Sequence, residues 1–455
     1  MKLPRIMIAA TASGSGKTLV TCGLLQAFVK RGIKTASFKC GPDYIDPMFH
    51  TKVLGTPSRN LDTFFTEERT LKYLFGSAAR DFQLSVLEGV MGYYDGLDIS
   101  TDKASSYELA KLTATPVILV VNCRGMSLSI VPMIKGFLQY KKESQIRGVI
   151  LNQIAESIYP EIKKKIEQEL EVMVAGYVPY VKELVIESRH LGLVCPEEVK
   201  DYHKKLDELA NVLERTVEIE KLIEIAHNAP SFNYEESEFP TVSGKPRIAV
   251  ARDEAFCFYY EENLQILKEM GAEIVEFSPI HHKQLPHKID GMILGGGYPE
   301  LFAEQLSENT EMKSSIKSAL LQGIPCMAEC GGFMYLHKTM EDMKHCSYPM
   351  VGVIEGTVYK TKHLNRFGYI EMEARQSELN LEMGEVIRGH EYHYFESTSL
   401  GESCTARKPE KNIEWNCIHG KEGQLMGFPH LYYYSNPKVP YKFLLKCLEK
   451  RNEIK

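Results

Sequence analysis

Residues 5–18 read Arg5-Ile6-Met7-Ile8-Ala9-Ala10-Thr11-Ala12-Ser13-Gly14-Ser15-Gly16-Lys17-Thr18, and an apolar stretch from Leu19 to Val29 follows. An apolar run, a turn of small residues ending in Lys-Thr, and a helix-like segment make a phosphate-binding loop in its strand–loop–helix setting. Small side chains let backbone N–H groups face phosphate oxygens, and the helix N-terminus adds a favourable dipole. In this reading Ser13, Gly14, Ser15, Gly16, Lys17 and Thr18 bind ATP. Lys17 neutralises the β- and γ-phosphates, and the Thr18 hydroxyl ligates Mg²⁺. Thr11 stands where the usual motif has its first glycine.

The alternation continues past this loop. After the first strand at Arg5 to Ala9, strand-like stretches lie at Thr35 to Lys39, Leu84 to Glu88, Val117 to Val121, Gly148 to Asn152 and Val174 to Val178. Helical patterns separate them at Thr18 to Lys30, Glu67 to Ala79, Ser106 to Leu112 and Tyr159 to Leu170. A charged helical pattern then runs from Pro196 to about His227. This predicts an α/β fold with a mostly parallel sheet covered on both faces. Ligands of such sheets gather at the carboxyl ends of the strands. Two acidic loops lie there. Asp43 and Asp46 stand in Lys39-Cys40-Gly41-Pro42-Asp43-Tyr44-Ile45-Asp46-Pro47, and Glu88 and Asp95 in Glu88-Gly89-Val90-Met91-Gly92-Tyr93-Tyr94-Asp95-Gly96. Carboxylates so placed hold Mg²⁺ or orient a substrate; the plainer reading is turn-forming aspartates.

From Asn228 to Gly244 the periodicity is lost and Pro, Ser, Asn and Glu accumulate, the composition of a linker. It separates a first domain over residues 1–227 from a second over 246–448. Strand patterns return at Arg247 to Ala251, Glu273 to Phe277, Gly291 to Leu294 and Pro325 to Ala328. The last runs into Glu329-Cys330-Gly331-Gly332-Phe333 and a helix-like Met334 to Thr339, a nucleophile elbow with Cys330 in place of serine. The helix N-terminus is expected to lower the thiol pKa and favour thiolate. Cys326, inside the strand, reads as a buried small hydrophobe. Gly295-Gly296-Gly297-Tyr298-Pro299-Glu300 follows another strand end. Backbone N–H groups of Gly296 and Gly297, with that of Gly331, could form an oxyanion hole. His390 and His393 in Gly389-His390-Glu391-Tyr392-His393-Tyr394, and His430 in Phe428-Pro429-His430-Leu431, are the candidate bases. Position along the chain does not choose among them.

Composition narrows the class. With 455 residues the chain is too long for one ordinary core. A net charge of -6 provides no basic field for nucleic acid. The longest apolar runs, such as Thr115 to Val121, fall far short of a membrane span, and Met1 to Ala10 lacks a signal-peptide pattern, so cytoplasm is the default. The eleven cysteines show no paired metal spacing.

Taken in order, Ser13 to Thr18, the run Lys39 to Pro47, Glu88-Gly89-Val90-Met91-Gly92, Gly295 to Glu300 and Glu329-Cys330-Gly331-Gly332 resemble the cobyrinic acid a,c-diamide synthase family of corrin-ring biosynthesis. The likeness runs nearly end to end, and Gly41-Pro42-Asp43-Tyr44-Ile45-Asp46-Pro47 is its most specific element. In that family a dethiobiotin-synthetase-like ATPase domain is fused to a class I glutamine amidotransferase domain. The resemblance implies that Cys330 attacks glutamine with His430 as its partner. The ammonia released would then displace phosphate from a substrate carboxylate activated by ATP. It also implies Thr18, Asp46 and Glu88 for Mg²⁺, and Asp43, Tyr44, Ile45 and Asp95 for the tetrapyrrole substrate. His390 and His393 would lie toward an interface or the corrinoid. The third acidic member of related glutaminases is not retained in this branch; where the family often has a second His, this chain has Tyr432. The motifs do not separate cobyrinic acid from hydrogenobyrinic acid or Ni-sirohydrochlorin as acceptor. A reading from another class is a P-loop ATPase with an inactive glutaminase-like binding module. The oligomeric state is not fixed, and a homodimer is carried as the assembly to test.

Overall fold

Strand β1 (Arg5–Ala10), all six of its residues buried, is the centre of a seven-stranded sheet. A computed structural model describes residues 1–180, 196–377 and 380–454, in two compact units, Met1–Ser237 and Glu238–Lys455. In the first unit β1 leads to α1 (Lys17–Lys30), β2 (Thr35–Cys40), α2 (Ile45–Lys52), β3 (Ser58–Leu61), α3 (Glu68–Ala79) and β4 (Leu84–Glu88). The chain continues through α4 (Ser106–Leu112), β5 (Val117–Asn122), α5 (Ile130–Gln139), β6 (Ile146–Asn152), α6 (Tyr159–Leu170) and β7 (Met173–Val178). Helices α7 (Pro196–Thr216) and α8 (Ile219–His227) close the unit. The strand order is β3-β2-β4-β1-β5-β6-β7 and every pair is parallel. A parallel sheet needs cover on both faces, which explains the near-continuous Val, Ile and Leu of β1, β5 and β6. Leu24, Leu25 and Phe28 of α1 share one core with Leu209 and Leu213 of α7, and each such side chain contributes about 1.5–3 kcal/mol on burial.

One expectation changes in detail here. The run after β2 is not all loop: Asp43 Oδ1 accepts from the N–H groups of Ile45 (2.8 Å) and Asp46 (3.3 Å) and so starts α2, which carries Asp46. A short polar side chain that satisfies the first free N–H groups of a helix is enough to nucleate it.

The second unit opens with β8 (Arg247–Ala251), β9 (Phe256–Phe258), α9 (Glu261–Glu269), β10 (Glu273–Phe277), β11 (Gly291–Leu294) and β12 (Gly296–Gly297). Helices α10 (Ala303–Glu308) and α11 (Thr310–Leu321) lead to β13 (Cys326–Glu329) and the five-residue α12 (Gly331–Tyr335). Ten strands follow: β14 (His337–Glu341), β15 (Ser347–Pro349), β16 (Ile354–Lys360), β17 (Arg366–Ala374), β18 (Val386–His393), β19 (Phe395–Ser397), β20 (Cys404–Arg407), β21 (Glu414–Cys417), β22 (His419–Lys421) and β23 (Gln424–Gly427). Strand β24 (His430–Leu431) and helix α13 (Lys438–Ile454) end the unit. One sheet, β10-β8-β11-β13-β23-β22, is parallel except for its last pair. Smaller sheets run β15-β14-β16-β19 and β21-β20-β17-β18-β24.

The helix expected over Met334 to Thr339 is corrected: α12 ends at Tyr335 and residues from His337 form β14. Cross-strand pairing decides this, since Thr339 Oγ1 lies 2.9 Å from Thr357 Oγ1 of β16 and Met340 is fully buried.

His337 at the start of β14 is fully buried, with Nδ1 donating to the Phe333 carbonyl (2.9 Å) and Nε2 2.7 Å from Ser397 Oγ. Burial lowers its pKa to about 4. The unfolded chain therefore binds a proton between about pH 6.5 and pH 4 that the folded one refuses, so stability is present above that window and falls as the pH drops through it. At about 1.4 kcal/mol per pH unit the loss is roughly 3 kcal/mol. Denaturant midpoints measured from pH 7 to pH 4 should show it, and His337→Gln should flatten the slope.

Candidate active sites

The loop between β1 and α1 turns on Gly14 (φ 75°) and Gly16 (φ 89°), conformations that glycine adopts freely. Asn152, at the carboxyl end of β6, donates to the Ser15 carbonyl (2.8 Å), and its side chain fills the space where a Cβ on Gly16 would sit. Ser15 is buried and at hydrogen-bond distance from Thr11 (Oγ–Oγ1, 3.4 Å), whereas Ser13 and Gly14 are exposed. Thr11, in the usual glycine's place, therefore braces the loop.

Below the loop, Glu88 at the end of β4 is fully buried and gathers the cations. Its Oε1 accepts from Thr18 Oγ1 (2.7 Å) and Lys39 Nζ (2.9 Å), with Lys17 Nζ at 3.7 Å. Lys39 also bonds Asp46 Oδ2 and lies 3.6 Å from Asp43. On the other side His50 Nε2 is 3.6 Å from Glu88 Oε2. Burial opposes the Lys39 charge, yet Asp46, Glu88 and Asp43 together hold its ammonium well above the ordinary lysine range. Burial likewise works against Glu88, but Lys39, Lys17 and His50 pull its carboxyl well below the carboxylate range. Lys17 is lowered by burial and then by Lys39.

Thr18 and Glu88 thus bring oxygens together at the mouth of the loop, a donor set that fits Mg²⁺. The Asp46 carboxylate is engaged by Lys39. Among the described residues no group of three or more His, Cys, Asp or Glu side chains forms a metal cluster by itself. Tyr44 is buried and Ile45, half-buried, packs against the core. Asp95 is exposed and accepts from the Gly92 N–H (2.9 Å), the turn-forming arrangement. Lys39 had no assigned role in the sequence reading. Its signal is a lysine inside Thr35–Cys40, a strand otherwise fit for complete burial.

In the second unit, β13 ends at Glu329 and Cys330 turns the chain with φ 45° and ψ -103° before α12 begins. Cys330 N–H donates to the Gly427 carbonyl (2.8 Å), and Gly332 lies where any side chain would strike the Leu294 carbonyl. The expectation of a depressed thiol pKa is corrected. Burial pushes the Cys330 thiol well up, Glu300 and Glu391 push the same way, and the Gly331 N–H opposes them. A helix of five residues has little dipole with which to overcome desolvation.

His430, on β24, is buried, and its ring packs so closely on Gly296 that a Cβ there would sit 2.5 Å from His430 Cε1. A Cβ on Gly331 would come within 3.1 Å of the Gly297 nitrogen. The three glycines, Cys330 and His430 therefore belong to one locality. His390 and His393 lie close to it as well. His390 is cross-strand partner of His430, stacks on it at 4.9 Å and 14°, and holds Nδ1 3.1 Å from Tyr260 Oη. His393 stacks on Phe428 at 4.0 Å and bonds the fully buried Glu391 (2.9 Å). Burial, reinforced by His390 and His393, holds His430 well below the ordinary histidine range, and burial lowers His390 to about 3. A neutral imidazole in the locality of a neutral thiol is the form able to take up the thiol proton.

Known proteins match both units. Residues 6–193 match the CobQ/CobB/MinD/ParA nucleotide binding domain, and residues 247–429 the CobB/CobQ-like glutamine amidotransferase domain. A cobyrinate a,c-diamide synthase of Caldanaerobacter subterraneus subsp. tengcongensis is 41% identical over 97% of this chain and 98% of its own length. One of Listeria innocua is 39% identical over 96% of this chain and 97% of its own. One of Priestia megaterium is 38% identical over 99% and 98%. Among the described residues no helix is long and apolar enough to cross a membrane.

Removing Lys39 as Lys39→Met leaves the buried Glu88 carboxylate without its hydrogen-bonded cation, and should cost roughly 3–5 kcal/mol in a urea titration. Gly296→Ala displaces the His430 ring and should lower the rate of glutamine hydrolysis at least about 10²-fold in a glutamate-release assay.

Proposed function

The chain belongs to the cobyrinate a,c-diamide synthase family, and from that membership we propose that it converts the a and c acetate carboxylates of cobyrinate to amides, with glutamine as nitrogen donor and ATP as activator. Members are glutamine-dependent amidotransferase ligases of cobalamin biosynthesis, with an ATP-binding and a glutaminase domain. The observation that carries the assignment of residues is the positive-φ backbone of Cys330 at a strand-to-helix junction, with Gly331 packed near Gly297 and His430 on Gly296.

In this reading Cys330 Sγ attacks the carboxamide carbon of glutamine while His430 takes the thiol proton. The Gly297 and Gly331 N–H groups, with the Gly296 backbone beside them, receive the developing oxyanion. His430 passes its proton to the departing nitrogen, ammonia leaves, and water hydrolyses the glutamyl thioester to glutamate and free thiol. Because His430 is held neutral by burial, its basic form persists below the usual histidine range.

At the other centre the phosphate loop and Lys17 hold the ATP phosphates, and Lys39 is set to follow negative charge as the γ-phosphoryl group moves to the acceptor carboxylate. Ammonia then attacks the acyl phosphate carbon and phosphate departs, which is why a poor leaving group must be phosphorylated at all. Mg²⁺, when bound, screens phosphate charge; Thr18 and Glu88 would hold it, and Asp46 would join them on release from Lys39. We assign Asp43 and Asp95, on the loops after β2 and β4, to the acceptor.

The test is product mass and glutamate release with ATP, Mg²⁺ and cobyrinate. The intact protein should form the diamide from glutamine. Cys330→Ala should release no glutamate while still forming diamide from ammonium salts. Glutamine hydrolysis with cobyrinate untouched would move the acceptor to hydrogenobyrinate or a sirohydrochlorin. Absence of hydrolysis would overturn the glutaminase assignment.

A further inference from the structure

The proposed base, His430, needs a group that fixes its ring and turns Nε2 toward the thiol proton. Two residues beyond it stands Tyr432, which carries no carboxylate; it is buried and packs its ring against Tyr260 at 5.1 Å. A carboxyl group nevertheless reaches the imidazole from the opposite direction along the chain. Strand β13 pairs with β23 so that Glu329 stands opposite Gly427, three residues before His430. This register brings the Glu329 side chain, itself 12% exposed, against β24. Its Oε1 accepts from the Leu431 N–H at 3.4 Å, and its Oε2 lies 3.8 Å from His430 Nδ1. One oxygen is thus anchored on the backbone of β24 while the other faces His430 Nδ1.

We propose that Glu329, the residue immediately before the nucleophile, is the positioning residue for His430, accepting its Nδ1–H and so presenting Nε2 to Cys330. The 3.8 Å gap closes by a small ring rotation when substrate fills the site, as catalytic contacts often tighten only on binding. From the neighbouring strand His390 stacks on the face of the His430 ring. In the reaction the proton leaves Cys330 Sγ, binds His430 Nε2 and departs with ammonia, while the Nδ1 proton stays between His430 and Glu329. A strand-end carboxyl adjacent to the nucleophile thereby takes over what other glutaminases draw from beyond the histidine. The inference rests on His430 being the base.

The experiment compares Glu329→Gln, Glu329→Asp and His430→Asn in the full-length protein, following glutamate release against pH and ammonia-driven amidation. An amide nitrogen facing Nδ1 selects the wrong tautomer, so Glu329→Gln should lower kcat for glutamine about 10²-fold or more with KM within about threefold. It should also displace the acid limb of the kcat/KM profile. Glu329→Asp should recover part of the rate, and ammonia-driven amidation should continue in both, which certifies folding. A Glu329→Gln protein with the native kcat and pH profile, beside an inactive His430→Asn, overturns this role and leaves the Cys330–His430 assignment standing. Full glutamine hydrolysis by His430→Asn overturns both. Equal loss in the Gln and Asp variants with an unmoved pH profile marks Glu329 as structural only and also overturns the role.

Discussion

A cysteine forced into a left-handed turn at the end of a strand organises the second unit. Non-glycine residues hold such a conformation at a cost of about 1–3 kcal/mol, so the surroundings must over-determine it. At Cys330 they do so through the sheet: the Gly427 carbonyl on β23 fixes its N–H, and Met334 N–H fixes its carbonyl. On the β11 side the backbone of Gly332 approaches Leu294 too closely for a side chain. Three adjacent parallel strands therefore act as a jig for one sulfur atom, and the same strands deliver the Gly296 backbone and the approach to His430. Packing of Phe333, Met334 and Tyr335, all buried, sets the jig's stiffness.

The two centres solve their electrostatic problems in opposite ways. In the first unit charged groups are assembled before substrate arrives: Lys39 and Glu88 hold each other ionised in a buried cluster, while burial pushes the Asp46 carboxyl up to about 8 and lowers Lys17. Such clusters contribute little net stability but hold a site rigid and responsive to incoming phosphate charge. In the second unit burial dominates, pushing the Cys330 thiol up and the His430 imidazole down, so that both favour their neutral forms. Charge transfer chemistry on phosphate favours the first design; a covalent step on a neutral amide tolerates the second.

What could be read from sequence followed the range of the forces involved. The βα units of the first half announce themselves because each strand is a local apolar run and each helix a local periodicity, and β4, α4, β8, β10 and β11 fall at the bounds their patterns predict. Strands β14 to β22 did not stand out, since short antiparallel strands with mixed burial such as β16 and β17 depend on cross-strand partners far along the chain. The phosphate loop and the cysteine elbow were legible because their residue types are dictated by backbone geometry. Lys39 and Glu329 lie within the legible motifs yet carried no role, because their meaning lies in a carboxylate or imidazole that only tertiary pairing brings alongside. The neighbourhood of His390 was hidden for the same reason: the β18–β24 register, not sequence distance, stacks it on His430.

The neutrality of Cys330 has a bearing on how long the protein lasts. Peroxide attacks thiolates far faster than thiols, and the sulfenic acid it forms would end the nucleophile's useful life unless reduced. A sulfur that is buried and favours its thiol form leaves little for an oxidant to find. Among the described cysteines Cys346 alone is exposed. The burial that makes the nucleophile reluctant also makes it durable.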